Sequence, residues 1–382
     1  MGSSDDFKNF LIIQKIEEDN EERTFLQSLL EKKLIILASV FALFVIIFLY
    51  KVFFTRLDLN NIKDKNYLFQ INNGVSVSKV AEDLKNQGVI KSVFAFKFYL
   101  KLFGSAGNAQ AGIYKLNQKD TLVSLANKIK NADYAIPPVR ITIIEGAKNG
   151  DVANIISKAF LENKDYVNNP ANFDPAYIYS ALSSSNSFIF PDTYLFLPNT
   201  SLDEIISDMQ DNFYLNLKNL FINLSTENNN SSSTAKIYSL NMTPLKISDF
   251  FKEDNKSVNL DKRLTIINQI GTTTVTIRNI VTMASYLEGE ANNEKDMRIV
   301  AGVLWTRLKL NYPLQIDAAT STYKTKGFTK NPINNPGMVA LRSAIDSINT
   351  GNIYYITGND GNMYYAKDYE THLKNINRYL RK

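Results

Sequence analysis

The longest apolar stretch lies near the N-terminus. Residues 34–50 read LIILASVFALFVIIFLY without a charge, and three more apolar residues follow Lys51. At about 1.5 Å per helical residue, residues 34–54 can cross a hydrocarbon core of roughly 30 Å while Lys51 reaches the interface. The alternative is a cleaved signal peptide. However, the run starts far from Met1, is too long, and lacks an Ala-x-Ala-like site after it. We therefore predict a transmembrane helix at 34–54 after a tail of residues 1–33.

A small α+β module is predicted next, at residues 55–135. Residues 67–71 fit a strand, and Ser76 fits the cap of a helix whose apolar residues follow the 3.6-residue period. A second helix fits residues 93–102, followed by a strand at 112–116 and a helix after Thr121.

The remaining residues, 136–382, predict a mixed α/β domain, so the expected fold class is α+β. The predicted segments are strands at 139–144, 353–356 and 363–366, an aromatic segment at 188–197 (FIFPDTYLFL), and helices at 202–215, 275–290 and 294–310. A low-complexity run at 228–233 (NNNSSS) predicts a mobile insertion at about 225–262.

The amino-acid composition limits which kinds of catalytic and metal-binding site the chain can form. The 382 residues include no cysteine and one histidine, His372. This excludes disulfide scaffolds, thiolate metal sites, cysteine nucleophiles and multi-histidine centres, and any catalysis should rest on carboxylates. We expect no metal and no cofactor. The net charge of +5 does not predict nucleic-acid binding. Because residues 1–33 sum to −3, the rest carries +8, which favours an anionic partner such as cell-wall polymer or lipid headgroups, or is simply a solvated basic surface.

Two carboxylates close the predicted helix whose last residues, 281–290, read VTMASYLEGE. On a helix, Glu288 and Glu290 point roughly 200° apart, so they cannot enter one cleft as a pair. The helical faces alone do not decide which of the two would act alone as a catalytic acid. Acidic residues at a helix end are also often simply exposed to solvent.

Several segments together resemble the YceG-like family of membrane-anchored endolytic murein transglycosylases. The signature is MASYLEGE (283–290), IVAGVLWTRL (299–308) and LQIDAATSTY (314–323). Further matches are ITIIEG (141–146), FPDTYLF (190–196), PINNPG (332–337), YETHLKN (369–375), and a LysM-like module around 72–130. The resemblance implies a cytoplasmic N-terminus and a body on the cell-wall side of the membrane. There it would cut nascent glycan strands internally and limit their length, with glycan strands and cell-wall synthases as partners.

The resemblance also assigns residues. It implies that Glu290 is the catalytic acid and then base, which protonates the glycosidic oxygen and takes the proton of the sugar's 6-hydroxyl to form a 1,6-anhydro ring. Glu288 becomes a supporting acid, and Gln315 and Asp317 either position the substrate, orient Glu290, or merely form turns.

Three further assignments keep a structural alternative. Asn335 matches a cleft loop or an ordinary turn, and His372 matches a recurrent position that is as well explained by packing. Tyr194 and its neighbouring phenylalanines could stack on sugars or fill the core.

The chain departs from the family pattern in one segment. The segment at residues 318–335 is shorter than is usual in the family and carries Lys324, Lys326 and Lys330, so the cleft is expected to be remodelled.

Two other functions compete with this one. They are a non-catalytic peptidoglycan-binding or scaffold protein of the wall-synthesis machinery, and a glycoside hydrolase that pairs Glu290 with Glu288 or Glu294.

Overall fold

A computed structural model describes residues 32–58, 67–72, 74–103, 109–164, 167, 169–184, 188–225, 235–238, 246–251 and 258–381. Within them the chain is a mixed α+β protein that divides into two compact units, residues 1–137 and 138–382. The predicted NNNSSS run lies outside the described residues.

The first unit begins with helix α1 (Lys32–Phe54), which is long and apolar enough to cross a membrane; its most apolar stretch of 18 residues has a mean hydropathy of 2.7. The elements after it are β1 (Tyr67–Ile71), α2 (Val77–Asn86), α3 (Val93–Phe103), β2 (Gly112–Leu116) and α4 (Leu122–Asn131). Strands β1 and β2 pair antiparallel, with Phe69 opposite Tyr114. The helices start where hydroxyl side chains cap them: the Ser76 hydroxyl accepts from the backbone N–H of Lys79, and Thr121 and Ser124 form a capping box.

The second unit contains three small antiparallel sheets among its described residues. Its elements are β3 (Val139–Thr142), α5 (Asn149–Leu161), α6 (Pro175–Ser184), β4 (Thr193–Phe196), α7 (Leu202–Ser225), β5 (Lys236–Tyr238), β6 (Arg263–Asn268), β7 (Gly271–Thr276), α8 (Ile277–Glu290), α9 (Glu294–Lys309), α10 (Met338–Ile345), β8 (Tyr354–Thr357), β9 (Met363–Ala366) and α11 (Tyr369–Tyr379), with short 3₁₀ turns at Pro170–Phe173, Ile247–Asp249 and Thr320–Tyr323.

Helix α7 connects two cores within this unit. Its first turns, through Met209, pack with β3, β4, α5 and α6. From Phe213 to Leu224 it packs instead with the core around α8, α9 and α10. Nine residues of α8 are buried, so this helix forms the centre of the second core and carries its last residue, Glu290, to the edge.

Several element boundaries differ from the sequence-based expectations. The helix predicted from residue 275 starts at Ile277, because β7 runs to Thr276, which caps the helix by accepting from the backbone N–H of Asn279. Helix α7 extends ten residues past 215, since its apolar period continues into the second core. The strand predicted at 139–144 ends at Thr142.

Part of the predicted mobile insertion is folded. Residues 236–238 form β5, which pairs antiparallel with β6, and Ile237 and Phe251 are each 2% exposed in the α8 core. These short apolar patches gain their order from tertiary burial, which local composition does not show.

Candidate active site

Glu290 ends α8 and presents a half-buried carboxyl group with two hydrogen-bond donors. The backbone N–H of Asp317 donates to Oε1 at 3.0 Å, and the Tyr355 hydroxyl on β8 donates to Oε2 at 3.0 Å. The carboxyl also sits at the C-terminal, partially negative end of α8, which disfavours its ionised form. The arrangement fixes the side chain while leaving lone pairs of both oxygens available.

The pKa of Glu290 is raised, with burial as the main cause. Its two hydrogen bonds and the Arg307 cation oppose that rise, whereas the nearby charge of Asp317 adds to it. Burial also raises the pKa of Tyr355 well above its ordinary range, so this phenol keeps its proton at neutral pH and remains a donor. A carboxyl of this kind retains a proton more readily than a solvated glutamate, as a general acid requires.

Asp317 lies on the exposed side of Glu290. Its carboxylate accepts a hydrogen bond from the hydroxyl of Tyr323, whose ring is 46% exposed. That bond raises the pKa of Tyr323 to about 12. Gln315, two residues before Asp317, is exposed and adopts the left-handed backbone conformation (φ 55°). Its backbone N–H donates to the Thr322 carbonyl at 3.2 Å.

Arg307 supplies the cation behind Glu290. It is 5% exposed, and its Nε and Nη1 donate to the carbonyls of Ile353 and Leu314, each at 2.7 Å. Its guanidinium carbon lies 5.4 Å from the centre of the Tyr354 ring. These fixed contacts hold a positive charge beside β8, where it partly compensates the buried carboxyl.

His372 reaches this cluster only through stacking. Its ring packs on Tyr354 with centroids 4.9 Å apart. Burial, followed by the charge of Arg307, lowers its pKa, which favours the neutral imidazole. The structure therefore places His372 against Tyr354, the ring that Arg307 also contacts.

Glu288 occupies a different environment. Its Oε1 accepts the backbone N–H of Gly337, the cap of α10, at 2.7 Å. Burial raises its pKa, the Gly337 N–H opposes that rise, and the charge of Glu145 adds to it. A Cβ on residue 337 would lie 1.8 Å from a Glu145 carboxyl oxygen, so any residue other than glycine would displace the Glu145 side chain.

Asn335 is used inside the fold. It is 3% exposed; its Nδ2 donates to the Ala147 carbonyl and its Oδ1 accepts from the Ile189 backbone N–H, each at 2.9 Å. These bonds join the loop before α10 to the segments after β3 and before β4. Asn335 also lines a cavity of about 590 Å³ with Lys148, Tyr179 and Phe188.

The aromatic segment at 188–197 buries Phe188, Ile189, Phe196 and Leu197 in the core, and Tyr194 is half-buried. The Tyr194 hydroxyl donates to the Phe190 carbonyl at 2.7 Å and accepts from Asn212 at 3.1 Å. Phe188 packs on Phe213 with ring centroids 5.4 Å apart. This matches the core alternative for these residues.

The sequence patterns do not identify four residues that surround the two glutamates in the structure: Arg307, Tyr323, Tyr355 and Glu145. Three of them stand inside quoted segments, and a charge at Arg307 in the apolar run IVAGVLWTRL was the available signal. Tyr355 carried none, since it comes from β8, far along the chain. Among the described residues, no group of three or more acidic or histidine side chains is placed to hold a metal ion.

The chain is similar in sequence to several known proteins. The sequence model of the YceG-like family matches residues 69–321 and 320–378. An endolytic murein transglycosylase of Bacillus subtilis is 28% identical over 361 residues, covering 83% of this chain and 86% of that protein. One from Streptococcus pneumoniae is 20% identical over 357 residues; the match covers 79% of this chain but only 56% of that longer protein. A crystal structure of a yceG-like protein from Listeria monocytogenes aligns with a TM-score of 0.42 and 19% identity, over 82% of this chain and 99% of that one.

Proposed function

Because this chain belongs to the YceG-like family, we propose that it is a lytic transglycosylase that cleaves the glycan strands of peptidoglycan. The observation that carries the proposal is the carboxyl group of Glu290. It is half-buried, has a raised pKa, and is fixed by the N–H of Asp317 and the hydroxyl of Tyr355. The names of the B. subtilis and S. pneumoniae relatives support the same activity.

The proposed reaction uses this carboxyl twice. Protonated Glu290 gives its proton to the glycosidic oxygen between N-acetylmuramic acid and N-acetylglucosamine, and that bond breaks. The Glu290 carboxylate then takes the proton from the 6-hydroxyl of the N-acetylmuramic acid. The oxygen of that hydroxyl bonds to C1 of the same sugar, which closes a 1,6-anhydro ring. Glu290 ends in its starting protonation state, and no water is consumed.

A hydrolase is the competing activity. It would need a second carboxylate to act on water or on the sugar. Glu288 is bonded to the cap of α10, and Glu294 is exposed at the start of α9. Asp317, whose charge is felt by Glu290, is the candidate that this structure favours for that role.

We further propose the cellular arrangement that the anchor supports. Helix α1 would span the cytoplasmic membrane with residues 1–33 inside and the enzyme body on the cell-wall side. There the protein would cut nascent strands internally and limit their length, near the cell-wall synthases. The β-α-α-β order at 67–116 supports a LysM-like module within residues 55–135, and residues 136–382 would form the catalytic domain.

Product analysis tests the activity. Full-length protein in detergent micelles is incubated with purified peptidoglycan, and the products are separated and weighed by mass spectrometry. We expect internal cleavage with 1,6-anhydro ends. New reducing ends would instead show a hydrolase acting through a second carboxylate such as Asp317, and intact strands would show a binding protein.

A further inference from the structure

Helix α3 exposes an apolar face opposite to the one that it buries. Ala95, Phe96 and Leu100 face the core of the first unit, each at most 3% exposed. Phe94, Phe98 and Leu102 are 76%, 42% and 59% exposed, and the rings of Phe94 and Phe98 stack at 5.8 Å. Their spacing of four residues places them on one stripe of the helix. A contiguous exposed stripe of this kind marks a binding surface.

The end of α1 is fixed to the same unit. Val52 and Phe53 pack against its core, and the Phe53 ring lies 6.2 Å from Tyr99 of α3. Just after the helix, the backbone N–H of Leu57 donates to the Asp120 carbonyl at 2.7 Å. The first unit therefore sits directly on the end of the membrane-spanning helix.

A groove lies between the end of α1 and the residues that precede α3. It has a volume of about 510 Å³ and is lined by Phe48 and Lys51 of α1 and by Lys91 and Ser92, the two residues before α3. Phe48 lies six residues before the end of α1, which corresponds to about 9 Å along the axis. Lys51 ends the uncharged run and so marks the headgroup level. A bilayer around α1 would therefore have its headgroups level with the start of α3.

Cations surround this surface. Lys51, Arg56 and Lys91 line the groove together with one acid, Asp58. Lys97 and Lys101 are exposed beside the apolar stripe on α3. Exposed aromatic and aliphatic side chains bordered by lysines fit the boundary between acyl chains and anionic headgroups.

We infer that α3 docks on the bilayer from which α1 emerges. Phe94, Phe98 and Leu102 enter the boundary between headgroups and acyl chains, and the groove and flanking lysines contact lipid phosphates. The docked unit then lies on the membrane surface, which limits how far from the bilayer its β-sheet and helices can reach.

The absence of cysteine makes a direct test simple. Phe94→Cys, and as a matched control Glu82→Cys on the exposed side of α2, are each labelled with an environment-sensitive fluorophore in the full-length protein. Both are reconstituted into vesicles of phosphatidylglycerol and phosphatidylcholine. The label at position 94 should shift to the blue and be quenched by lipids brominated near the headgroup. The label at position 82 should remain quenched by aqueous iodide.

Charge dependence completes the test. In the variant with Phe94→Cys, the further change Lys97→Gln should lower the ratio of docked to undocked protein roughly fivefold on anionic vesicles. Equal iodide quenching at positions 94 and 82 would overturn the inference. So would protection at position 94 that appears only when peptidoglycan is added, which would make this face a glycan surface. Equal docking on pure phosphatidylcholine, whose headgroup carries a phosphate but no net charge, would overturn the role given to anionic headgroups.

Discussion

Glu288 and Glu290 stand two residues apart on one helix, yet they meet opposite surroundings. Glu290 lies at the C-terminal end of α8 and receives hydrogen bonds from a phenol and a loop N–H, with Arg307 behind it. Glu288 receives the N–H that caps α10 and faces the acid Glu145. Burial raises the pKa of both carboxyls, so a perturbed pKa alone does not distinguish a reactive acid from a structural one.

Our proposal that Glu290 is the reactive acid rests on the partners of each carboxyl. The donor to Glu288 is the start of a buried helix that contacts α8, so the bond joins two elements of the core. The donors to Glu290 come from an exposed turn at Asp317 and from β8 at the edge of the core. The second arrangement places a fixed carboxyl beside the exposed side chains of Asp317 and Tyr323.

The largest expected effect is the loss of turnover in Glu290→Gln. The amide cannot exchange the proton, so cleavage should fall by at least roughly 10² to 10⁴-fold, the usual contribution of general acid–base catalysis. The measurement is the rate of anhydro-product release, with circular dichroism to verify the fold. Glu294→Gln, an exposed glutamate four residues away, is the matched control and should keep near-normal activity. Normal turnover in Glu290→Gln would remove this residue from the mechanism.

A smaller effect is expected for Glu288→Gln. The amide oxygen can still accept the Gly337 N–H, and the change removes the repulsion from Glu145. We expect activity within about tenfold of the unchanged protein, since the contact orders α10 and does not exchange protons with substrate. Parallel melting curves and initial rates give the comparison. A folded Glu288→Gln protein without activity would transfer the catalytic role to Glu288.

The difference between the two glutamates also shows how far the sequence leads. Apolar periodicity predicts α8 and places both acids at its end, and the resemblance favours Glu290. The donors come from contacts between distant segments, so local patterns cannot reveal them. Tyr355 lies on β8, and the sequence of that strand is equally compatible with a purely structural tyrosine. Asn335 reads as part of a turn in PINNPG, but its hydrogen bonds to Ala147 and Ile189 exist only once three segments have packed.

The smallest and most specific effect concerns the pH profile of Tyr355→Phe. The Tyr355 hydroxyl donates to Glu290 and so favours the ionised carboxylate; it opposes the rise in pKa that burial causes. Removing it should raise the pKa of Glu290 further, so the acid keeps its proton to higher pH. The alkaline limb of kcat/KM against pH, which reports the free enzyme, should therefore move to higher pH. Tyr365→Phe is the matched control, because Tyr365 is the cross-strand partner of Tyr355 but donates to Asp296 at 2.7 Å. The control should leave the limb in place. If both variants leave it unchanged, or if Tyr355→Phe moves it to lower pH, the titrating acid is not the carboxyl that Tyr355 holds.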